Sequence, residues 1–472
     1  MVKTVCILAE GSYPYVFGGV SSWVQDLISS MPERTFKVLS IMPSRDDMLE
    51  CKYVLPPNLS EMTTIFLQDF KQINPKPHRF EPYLVEEELV SLKKFIRFDP
   101  DINWEILSRT ICSIKKIGNP VEFLHSKTFW DLLVEYYFER YSGEGFNEFF
   151  WTIRSMFVFF ITIMQSRLPE ADMYHAVSTG YPGLLGVITA HSHGKPFILT
   201  EHGIYARERE EDIIKAQWVK GVYKKMWIDF FYFISKGAYT SAAKVVSLFE
   251  RNRLFQIELG ANPDTTVVIP NGIDTDLYTM QKEKHTGLNV GAVLRVVPIK
   301  DVKTLIRAFT LVVRELPDSR LYILGPTDED KDYFNECKSL TKYLNLENNI
   351  IFTGRVKTRD YLPLFDVMVL SSISEGQPLV ILEGMSAGVP FVSTDVGSCR
   401  ELLEGRTDDD IGQAGLIVKP VSPGDLGAAV LSLLKNKELR ETMGLNGRLR
   451  AEVHYRKDAF VDAYRSIYER FD

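Results

Sequence analysis

Short apolar runs alternate with amphipathic helical stretches over much of the chain. Residues 2–9 predict a buried strand, and residues 21–30 predict an amphipathic helix after it. Further strands are predicted at residues 172–176, 196–200, 245–247, 288–294, 320–324, 350–353, 367–370, 391–393 and 416–418. Strands that alternate with helices are typical of parallel sheets covered by helices. The pattern therefore predicts the α/β class, and 472 residues are enough for two or three domains.

Two stretches depart from this alternation. Residues 43–166 are aromatic and helix-rich with few repeating strand–helix signals, which predicts an insertion in the first domain. Residues 279–287 are charged and polar, which predicts a linker. We therefore expect an N-terminal domain over residues 1–280 and a C-terminal domain over residues 288–455.

Composition excludes several classes of function. A net charge of −7 argues against a general nucleic-acid binder, so no nucleic acid is expected as a partner. The five cysteines are scattered, at Cys6, Cys51, Cys112, Cys337 and Cys399. No Cys-x-x-Cys pair occurs, which indicates neither a zinc site nor a disulfide framework and suits a reducing cytosol.

No segment is predicted to span a membrane. The strongest apolar run, residues 156–164, lies between Arg154 and Arg167, whereas a spanning helix needs about 20 apolar residues. The N-terminus is unlike a signal peptide, so we expect a cytoplasmic protein. Residues 213–239 interleave lysines with aromatic side chains and predict a packed helix with a lysine-rich face. Contact with an anionic membrane or an acceptor polymer is the alternative.

The most informative segment is Glu-Gly-Gln-Pro-Leu-Val-Ile-Leu-Glu, residues 375–383. Proline fits the first turn of a helix, so Glu375 is predicted in the preceding loop and Glu383 in the helix, about 7 Å beyond Pro378 along the axis. The helix N-terminus between the two carboxylates offers backbone N–H groups to a phosphate. A sugar on each side of a pyrophosphate, as in a nucleotide sugar, would fit this arrangement. A capped surface helix with two unrelated glutamates is the alternative.

Two cations leave the carboxyl end of the predicted strand at residues 288–294. They are Arg295 and Lys300, in the sequence Arg-Val-Val-Pro-Ile-Lys. Open α/β sheets bind ligands at this edge, and two fixed cations suit a diphosphate. A solvated basic loop is the alternative interpretation.

Two further motifs complete the set: Pro-Asn-Gly-Ile-Asp at residues 270–274 and Ser-Thr-Asp-Val-Gly-Ser at residues 393–398. With them, residues 271–455 resemble a retaining glycosyltransferase of the family 4 kind. The resemblance implies the GT-B scaffold, in which two Rossmann-like domains face each other across a cleft. In that scaffold the last helix usually crosses back to the first domain. Residues 456–472 are expected to do so, with aromatic side chains at Phe460, Tyr464 and Tyr468.

The resemblance also assigns residues of the N-terminal domain. It implies that Gly18 and Gly19 let the backbone approach donor and acceptor, because glycine has no Cβ. It further implies that His202, in Thr-Glu-His-Gly, contacts the donor sugar; a hydrogen-bonded core histidine is the alternative. No Gly-x-Gly-x-x-Gly fingerprint occurs, so a nicotinamide cofactor is not indicated.

Together these assignments imply a metal-independent enzyme that retains the anomeric configuration. The catalytic residues would be His202, Glu375, Arg295 and Lys300. The nucleotide-sugar-binding residues would be Gly18, Gly19, Arg295, Lys300, Glu375, Gly376, Gln377, Pro378, Leu379 and Glu383. The family has no Asp-x-Asp metal requirement and none of these motifs supplies metal ligands. We therefore expect no metal and no cofactor. The nucleotide sugar, which the resemblance implies to be a UDP-sugar, is a substrate.

The acceptor side is less defined. His175 lies at the end of the predicted strand at residues 172–176, Tyr181 follows that strand, and Arg209 lies in a run of mixed charge, so each is a candidate acceptor contact. The start Ala-Glu-Gly-x-Tyr-Pro at residues 9–14 and the long insertion resemble the family members of Pel-type exopolysaccharide synthesis. That resemblance implies UDP-glucose as donor, a growing polysaccharide as acceptor and a membrane-associated polysaccharide assembly as partner.

Two other functions suit the same residues. One is a nucleotide-sugar 2-epimerase on the same scaffold, which would release nucleoside diphosphate without an acceptor product. The other is a non-catalytic nucleotide-sugar sensor or assembly scaffold, which would bind the donor without turning it over. The intact basic pair, glutamate pair and His202 favour catalysis.

Overall fold

The computed structural model describes residues 3–45, 50–72, 80–278, 287–406 and 409–472. The chain forms two compact units. Unit 1 comprises Met1–Val268 and Tyr464–Asp472, and unit 2 comprises Ile269–Ala463. Residues 269–278 therefore group with unit 2, although the expected boundary lay beyond them. The predicted linker at residues 279–287 lies, except for Gly287, outside the described residues.

Unit 1 is built on a seven-stranded parallel sheet. Its strands are β1 (Thr4–Glu10), β2 (Thr35–Met42), β3 (Leu59–Phe66), β4 (Met173–Ala176), β5 (Phe197–Glu201), β6 (Lys244–Ser247) and β7 (Thr266–Val268). They lie in the order β3-β2-β1-β4-β5-β6-β7, and neighbouring strands are parallel. The strand order reverses between β1 and β4, and in such sheets ligands bind outside the carboxyl ends at that point.

Helices cover this sheet on both faces, which explains why its central strands are continuous apolar runs. The helices of unit 1 are α1 (Gly19–Ser29), α2 (Glu86–Ile96), α3 (Trp104–Ile111), α4 (Ile114–Ile117), α5 (Pro120–Leu124), α6 (Lys127–Arg140), α7 (Phe146–Met164), α8 (Tyr181–His191), α9 (Tyr205–Lys215), α10 (Val222–Ser241) and α11 (Glu250–Glu258). In β1, every side chain from Val5 to Ala9 is fully buried.

The segment predicted as a helix-rich insertion, residues 43–166, contains both a strand and helices. The strand β3 pairs with β2 at the sheet edge and is half-exposed, so its apolar signal is weak. The helical part, α2–α7, begins at Glu86. The helix-rich character is thus correct for the later part of the segment, and the earlier part completes the sheet.

One helix is longer than the apolar run predicted from sequence. By length and composition alone, α7 is able to cross a membrane, and 44% of that stretch is buried inside unit 1. The expectation that no segment reaches spanning length was therefore wrong for α7. Its buried face packs into the core: the Phe95 ring lies 4.5 Å from that of Phe157 and 4.3 Å from that of Phe160.

Residues 213–239, predicted as one packed helix, are divided between two. The helix α9 ends at Lys215 and α10 begins at Val222, after Gly221 with a φ of 48°. Within α10, Trp227 and Phe230 are buried, so this helix packs against the unit 1 core.

Unit 2 is a six-stranded parallel sheet with helices on its faces. Its strands are β8 (Asn289–Val293), β9 (Arg320–Leu324), β10 (Ile350–Gly354), β11 (Val367–Leu370), β12 (Phe391–Thr394) and β13 (Gly415–Val418). Its helices are α12 (Val302–Glu315), α13 (Lys331–Tyr343), α14 (Thr358–Tyr361), α15 (Leu379–Ser386), α16 (Cys399–Glu404), α17 (Pro423–Lys435) and α18 (Lys437–His454). The order β10-β9-β8-β11-β12-β13 reverses between β8 and β11.

The last helix, α19 (Lys457–Glu469), begins in unit 2 and ends in unit 1. In unit 1, the Tyr464 ring lies 5.3 Å from the Trp23 ring, and the Tyr468 hydroxyl contacts the His175 Nδ1 at 2.7 Å. The final residue, Asp472, forms a two-bond ion pair with Arg34.

Candidate functional site

In unit 2, two loops meet where the strand order reverses. One follows β8 and contains Lys300; the other follows β11 and leads to α15. The Ser371 hydroxyl donates to the Lys300 carbonyl at 2.8 Å, and the Ile373 N–H donates to the Ile299 carbonyl at 2.9 Å. These two bonds fasten the loops to each other at the edge of the sheet where ligands bind.

The side chains of Lys300 and Glu375 meet at this junction. The Lys300 Nζ lies 2.5 Å from Glu375 Oε1, and the Ser372 hydroxyl donates to the same oxygen at 2.5 Å. The two charged side chains are only 17% and 12% exposed, so water screens the pair little. Both bonds fall on Oε1, so Oε2 remains able to accept a hydroxyl. The structure therefore brings two predicted site residues together.

The backbone of the Glu375–Gln377 turn is packed tightly against its surroundings. Gly397 has a φ of 52°, and a Cβ there would lie 2.1 Å from the Gly376 carbonyl oxygen. The Ser398 N–H donates to that carbonyl at 3.0 Å. The Gln377 side chain is buried, and its Oε1 accepts the Asn271 N–H at 2.6 Å. The motifs at residues 270–274 and 393–398 thus hold the turn in place.

Helix α15 begins directly after this turn. Pro378 is its N-cap with extended backbone and Leu379 its first residue, so the predicted helix starts one residue later than the proline. The first N–H groups of a helix have no partner within it and attract anions. The N-terminus of α15 lies next in sequence to the ion-paired Glu375.

Glu383 lies further along α15 and is mostly buried. Burial raises the pKa of its carboxyl to about 7, although a hydrogen bond from the Tyr278 hydroxyl acts in the opposite direction. Burial beside this carboxylate also raises the pKa of Tyr278, which stays protonated as a donor. Glu383 is therefore a hydrogen-bonding carboxylate that titrates near neutral pH.

Arg295 is more exposed than Lys300. Its Nη1 lies 2.9 Å from Glu329 Oε2, and its side chain is 56% exposed. The loop after β8 is held close to that after β9, because a Cβ on Gly325 would lie 2.0 Å from the Leu294 carbonyl oxygen. The two predicted cations thus lie on one loop, but each is paired with a different carboxylate.

In unit 1, His202 follows β5 at the carboxyl edge of the sheet. Its ring packs edge-on against Trp23 of α1, with ring centroids 4.9 Å apart. Burial lowers the pKa of His202 to about 4, so the imidazole is neutral at pH 7. Its buried Nε2 has no hydrogen-bond partner among the described residues. Buried polar atoms in proteins usually have a hydrogen-bond partner. The Nε2 of His202 is therefore available to form a hydrogen bond with a ligand.

The loop that contains His202 is anchored by Glu201, a residue whose role the sequence did not reveal. Its carboxylate accepts bonds from the Tyr239 hydroxyl at 2.6 Å, Gln256 Nε2 at 3.1 Å, Thr179 Oγ1 at 3.1 Å and the Tyr205 N–H at 2.9 Å. Burial raises the Glu201 pKa to about 7, and these bonds oppose that rise. Four donors to one buried carboxylate fix the loop after β5.

A second carboxylate ends β1. The Tyr181 N–H, at the start of α8, donates to Glu10 Oε2 at 3.3 Å. Burial raises the Glu10 pKa to about 7, while the nearby charge of Arg209 lowers it. This contact joins the loops after β1 and β4, where the strand order of unit 1 reverses.

Gly18 and Gly19 lie at the start of α1. None of the described residues lies within 4 Å of where a Cβ on either glycine would project. Packing within the described chain therefore does not require glycine at these two positions. Open backbone at a helix start suits the predicted approach of a ligand.

The three acceptor-side candidates lie in different environments. His175 is fully buried, with Nδ1 on Tyr468 and Nε2 on Thr200, both at 2.7 Å. Burial lowers its pKa to about 3, so it is a neutral core residue with no surface for an acceptor. Tyr181 is 7% exposed at the start of α8, and Arg209 is paired with Asp212 at 2.8 Å.

Comparison with known protein families assigns both halves of the chain. Residues 3–264, more than half of it, match the family described as "Domain of unknown function (DUF3492)". Residues 284–436 match "Glycosyl transferases group 1".

Curated relatives match parts of the chain. The N-acetyl-alpha-D-glucosaminyl L-malate synthase of Bacillus anthracis is 29% identical over 36% of this chain and 42% of that protein. The UDP-Gal:alpha-D-GlcNAc-diphosphoundecaprenol alpha-1,3-galactosyltransferase of Escherichia coli is 29% identical over 51% of this chain and 63% of that protein. The chain thus covers less than two thirds of the length of either relative.

A solved structure matches over nearly the full length. Anabaena Alr3699/HepE in complex with UDP-glucose covers 99% of both chains, with a TM-score of 0.60 and 15% identity. This likeness concerns the fold. Together with the two parallel sheets, it confirms the predicted class of two Rossmann-like α/β domains of the GT-B type.

Proposed function

We propose that this chain, which belongs to the family described as DUF3492 and matches the group 1 glycosyltransferases over residues 284–436, transfers a hexosyl unit from a UDP-sugar to a growing polysaccharide. The observation that carries this proposal is the junction of Lys300, Glu375 and Ser372 beside the start of α15. A cation, a carboxylate and a helix N-terminus there suit a phosphate next to a sugar hydroxyl.

In the proposed reaction, unit 2 supplies the charge stabilisation. The bond between the anomeric carbon and the diphosphate oxygen would break, the electron pair would leave with the nucleoside diphosphate, and the acceptor hydroxyl oxygen would form the new bond to the anomeric carbon. Lys300, Arg295 and the first N–H groups of α15 would neutralise the charge that develops there. The leaving diphosphate would take the acceptor hydroxyl proton on the same face of the sugar, so the anomeric configuration would be retained.

The two glutamates would bind opposite ends of the donor. Glu375 Oε2 would accept a hydroxyl of the transferred sugar, while Oε1 stays on Lys300 and Ser372. Glu383 would accept the ribose hydroxyls. His202 would contact the donor sugar through Nε2, which the described residues leave without a hydrogen bond. Gly18 and Gly19 would let the backbone come close to the ligand.

The finer proposal is an enzyme of the PelF kind, acting in Pel-type exopolysaccharide synthesis. It is supported by the β1 end, Ala-Glu-Gly-x-Tyr-Pro, and by the helical segment α2–α7. UDP-glucose would be the donor, and a polysaccharide assembly would recruit the cytoplasmic protein to the inner face of the plasma membrane. HepE binds UDP-glucose on the same fold, which supports a UDP-sugar.

A donor screen tests the proposed function. The full chain is incubated with UDP-, GDP- and ADP-sugars and an oligosaccharide acceptor, and both nucleoside diphosphate and glycan product are measured. We expect UDP release matched by product, unchanged in EDTA. Diphosphate release without product would favour a 2-epimerase, and tight binding without turnover would favour a scaffold. Activity lost in EDTA and restored by Mg²⁺ or Mn²⁺ would contradict metal independence.

Substitutions of the two glutamates should have different effects on the binding of UDP-glucose and of UDP. Glu383→Ala is expected to weaken UDP binding roughly tenfold or more, because it removes a charge-assisted contact worth about 1.5–3 kcal/mol. Glu375→Ala should weaken UDP-glucose by a similar factor and leave UDP largely unaffected. Calorimetry with both ligands on both variants measures this, with Glu375→Gln to show the effect without loss of side-chain volume. Reversed effects would overturn the orientation along α15.

UDP binding should also depend on pH through Glu383. With a carboxyl pKa of about 7, Glu383 is mostly ionised at pH 8 and mostly protonated at pH 6. Protonation replaces a charge-assisted bond by a neutral one, a difference of about 1 kcal/mol, so affinity should fall about fivefold from pH 8 to pH 6. Glu383→Gln lacks the titrating carboxyl, so its pH profile, measured in parallel, shows the part of the pH dependence that comes from the phosphate of UDP. Equal pH profiles for the two proteins would refute the assignment.

Glu383 should give the stability of the unliganded protein a pH dependence opposite to that of UDP binding. The folded state raises the Glu383 pKa above its usual 4.5, so it favours the protonated form. The contribution of this group to stability is present below about pH 4.5 and is lost as pH rises through 7. The unliganded protein should therefore gain stability where UDP binding weakens, which separates the two effects.

A further inference from the structure

A pocket of about 360 Å³ opens on unit 1 between the first half of α7 and the segment that leads into α10. We call it the tryptophan pocket, since three of its lining residues are Trp151, Trp218 and Trp227. None of its lining residues belongs to the loops after β1, β4 or β5. It is thus separate from the residues assigned to the donor.

Two of the three indoles are unusually exposed. Trp151 is 56% exposed and Trp218 is 69% exposed, whereas Trp227 is buried. The Trp218 and Trp227 rings meet edge-on with centroids 5.7 Å apart, and the Arg154 guanidinium lies 5.3 Å from the Trp151 ring centre. These contacts hold the rings while leaving large apolar area in water, which in soluble proteins marks a binding site.

Polar groups line the pocket between the rings. Asn147 and Glu148 are exposed on α7. The Thr152 hydroxyl donates to the Glu148 carbonyl and the Ser155 hydroxyl to the Thr152 carbonyl, both at 2.8 Å, so their oxygens can accept further bonds. Flat apolar rings bordered by amide, carboxylate and hydroxyl groups match a pyranose, which has apolar C–H faces and a rim of hydroxyls. The volume lies within the range of about 300–1,000 Å³ typical of small-ligand pockets.

The same features argue against a lipid surface. A helix that lies on an anionic membrane combines its aromatic residues with a basic face. Here the pocket lining holds one residue of each charge, Glu148 and Lys220. The lining is therefore not a basic face, and Arg154 contributes a further positive charge only beside the Trp151 ring.

We propose that the tryptophan pocket is a glycan-binding subsite that holds a pyranose of the polysaccharide by stacking on Trp151 and Trp218. That the bound glycan is the acceptor or the product of transfer rests on the proposed function. That the pocket suits a pyranose rests on its lining residues alone. A subsite on unit 1 would keep the growing chain on the enzyme between transfers.

Binding of glycans to the full chain, without any nucleotide, tests this proposal. Maltohexaose, cellohexaose and chitohexaose are titrated by calorimetry, and we expect at least one to bind. Trp218→Ala and Trp151→Ala should each weaken that binding at least tenfold, whereas Trp218→Phe should retain most of it. Trp130→Ala is the matched control. Trp130 is also exposed, at 47%, but packs on Phe146 and Phe150 outside the pocket lining, so its loss should change affinity less than twofold.

Three outcomes would overturn the subsite. They are no binding of any hexasaccharide, binding unchanged in both tryptophan variants, and flotation with anionic phosphatidylglycerol vesicles that is lost in Trp218→Ala while glycan affinity is unchanged. UDP-glucose affinity, measured on the same proteins, should be equal in all of them. Glycan binding without any UDP-sugar binding would instead contradict the proposed function and leave the subsite standing.

Discussion

Lys300→Ala should reduce turnover of the UDP-sugar about 10- to 150-fold. The substitution removes a charge-assisted contact worth about 1.5–3 kcal/mol from a poorly solvated position, and each 1.4 kcal/mol is a factor of ten in rate. It also leaves Glu375 without its cation at 2.5 Å. Steady-state kinetics of UDP release measure the effect. Arg295→Ala should act in the same direction and more weakly, because Arg295 is more exposed and is paired with Glu329.

Lys303→Ala is the control for this prediction. Lys303 lies on α12 one turn beyond Lys300 and pairs with Glu336 rather than with Glu375. Its loss removes the same charge from the same region, so it reports any general effect of net charge. Turnover by Lys300→Ala and Arg295→Ala equal to that of the parent would show that the diphosphate does not bind at the loop after β8.

Asp409→Ala should destabilise the protein by about 3–5 kcal/mol. Asp409 Oδ2 lies 2.5 Å from Arg450 Nε, and the two side chains are 1% and 0% exposed. Burial alone would raise the pKa of Asp409, but the hydrogen bond and charge of Arg450 lower it overall. Removing the carboxylate leaves a buried guanidinium uncompensated, which is among the most destabilising changes known. Chemical denaturation of the purified variant measures it.

Asp458→Ala provides the comparison. Asp458 pairs with Arg456, and the two side chains are 62% and 43% exposed, so water compensates for the loss and only a small change is expected. The Arg450 guanidinium also donates to the carbonyls of Leu402, Leu403 and Gly412. A change in Asp409→Ala as small as that in Asp458→Ala would show that these bonds hold the region without the carboxylate. Because the folded state lowers the Asp409 pKa, the contribution of the pair is present above about pH 3.8 and is lost as pH falls below it.

Much of the fold could be predicted because parallel strands buried on both faces are short, continuous apolar runs. The strands at residues 320–324 and 367–370 have the predicted bounds. The strands β2 and β3 were not predicted. The sequence of β2, Thr-Phe-Lys-Val-Leu-Ser-Ile-Met, interrupts its apolar positions with polar ones, and β3 is a half-exposed edge strand whose sequence, Leu-Ser-Glu-Met-Thr-Thr-Ile-Phe, does the same. The three-residue β7 is too short to give a periodic signal.

The sequence could predict which loops carry the site residues, because those loops follow the ends of predicted strands. It could not predict the partners of their side chains. Lys300 and Glu375 are 75 residues apart, and the sequence assigned both to the nucleotide-sugar site without revealing their ion pair. The pairing of Arg295 with Glu329 depends on how the loop after β9 packs, which no local pattern encodes. Glu201 and Tyr278 gave no signal either, since burial of a polar residue depends on partners distant in sequence.

Asp409 shows the same limit in another form. The acidic run Asp-Asp-Asp at residues 408–410 predicts a solvated loop from sequence alone. Asp408 lies outside the described residues, and the prediction is wrong for Asp409, because Arg450 of α18 reaches it. Gly405, with a φ of 92°, lies so close that a Cβ there would be 2.9 Å from Arg450 Nη2. The glycine was visible in the sequence, but the ion pair beside it was not.

Hydrogen–deuterium exchange of the full chain with and without UDP-glucose tests the central claim most directly. If the nucleotide sugar binds at the Lys300–Glu375 junction, backbone amides over residues 296–300 and 376–383 should exchange more slowly with the ligand. Saturating UDP-glucose with no protection in either segment, or with protection confined to other parts of the chain, would contradict the account.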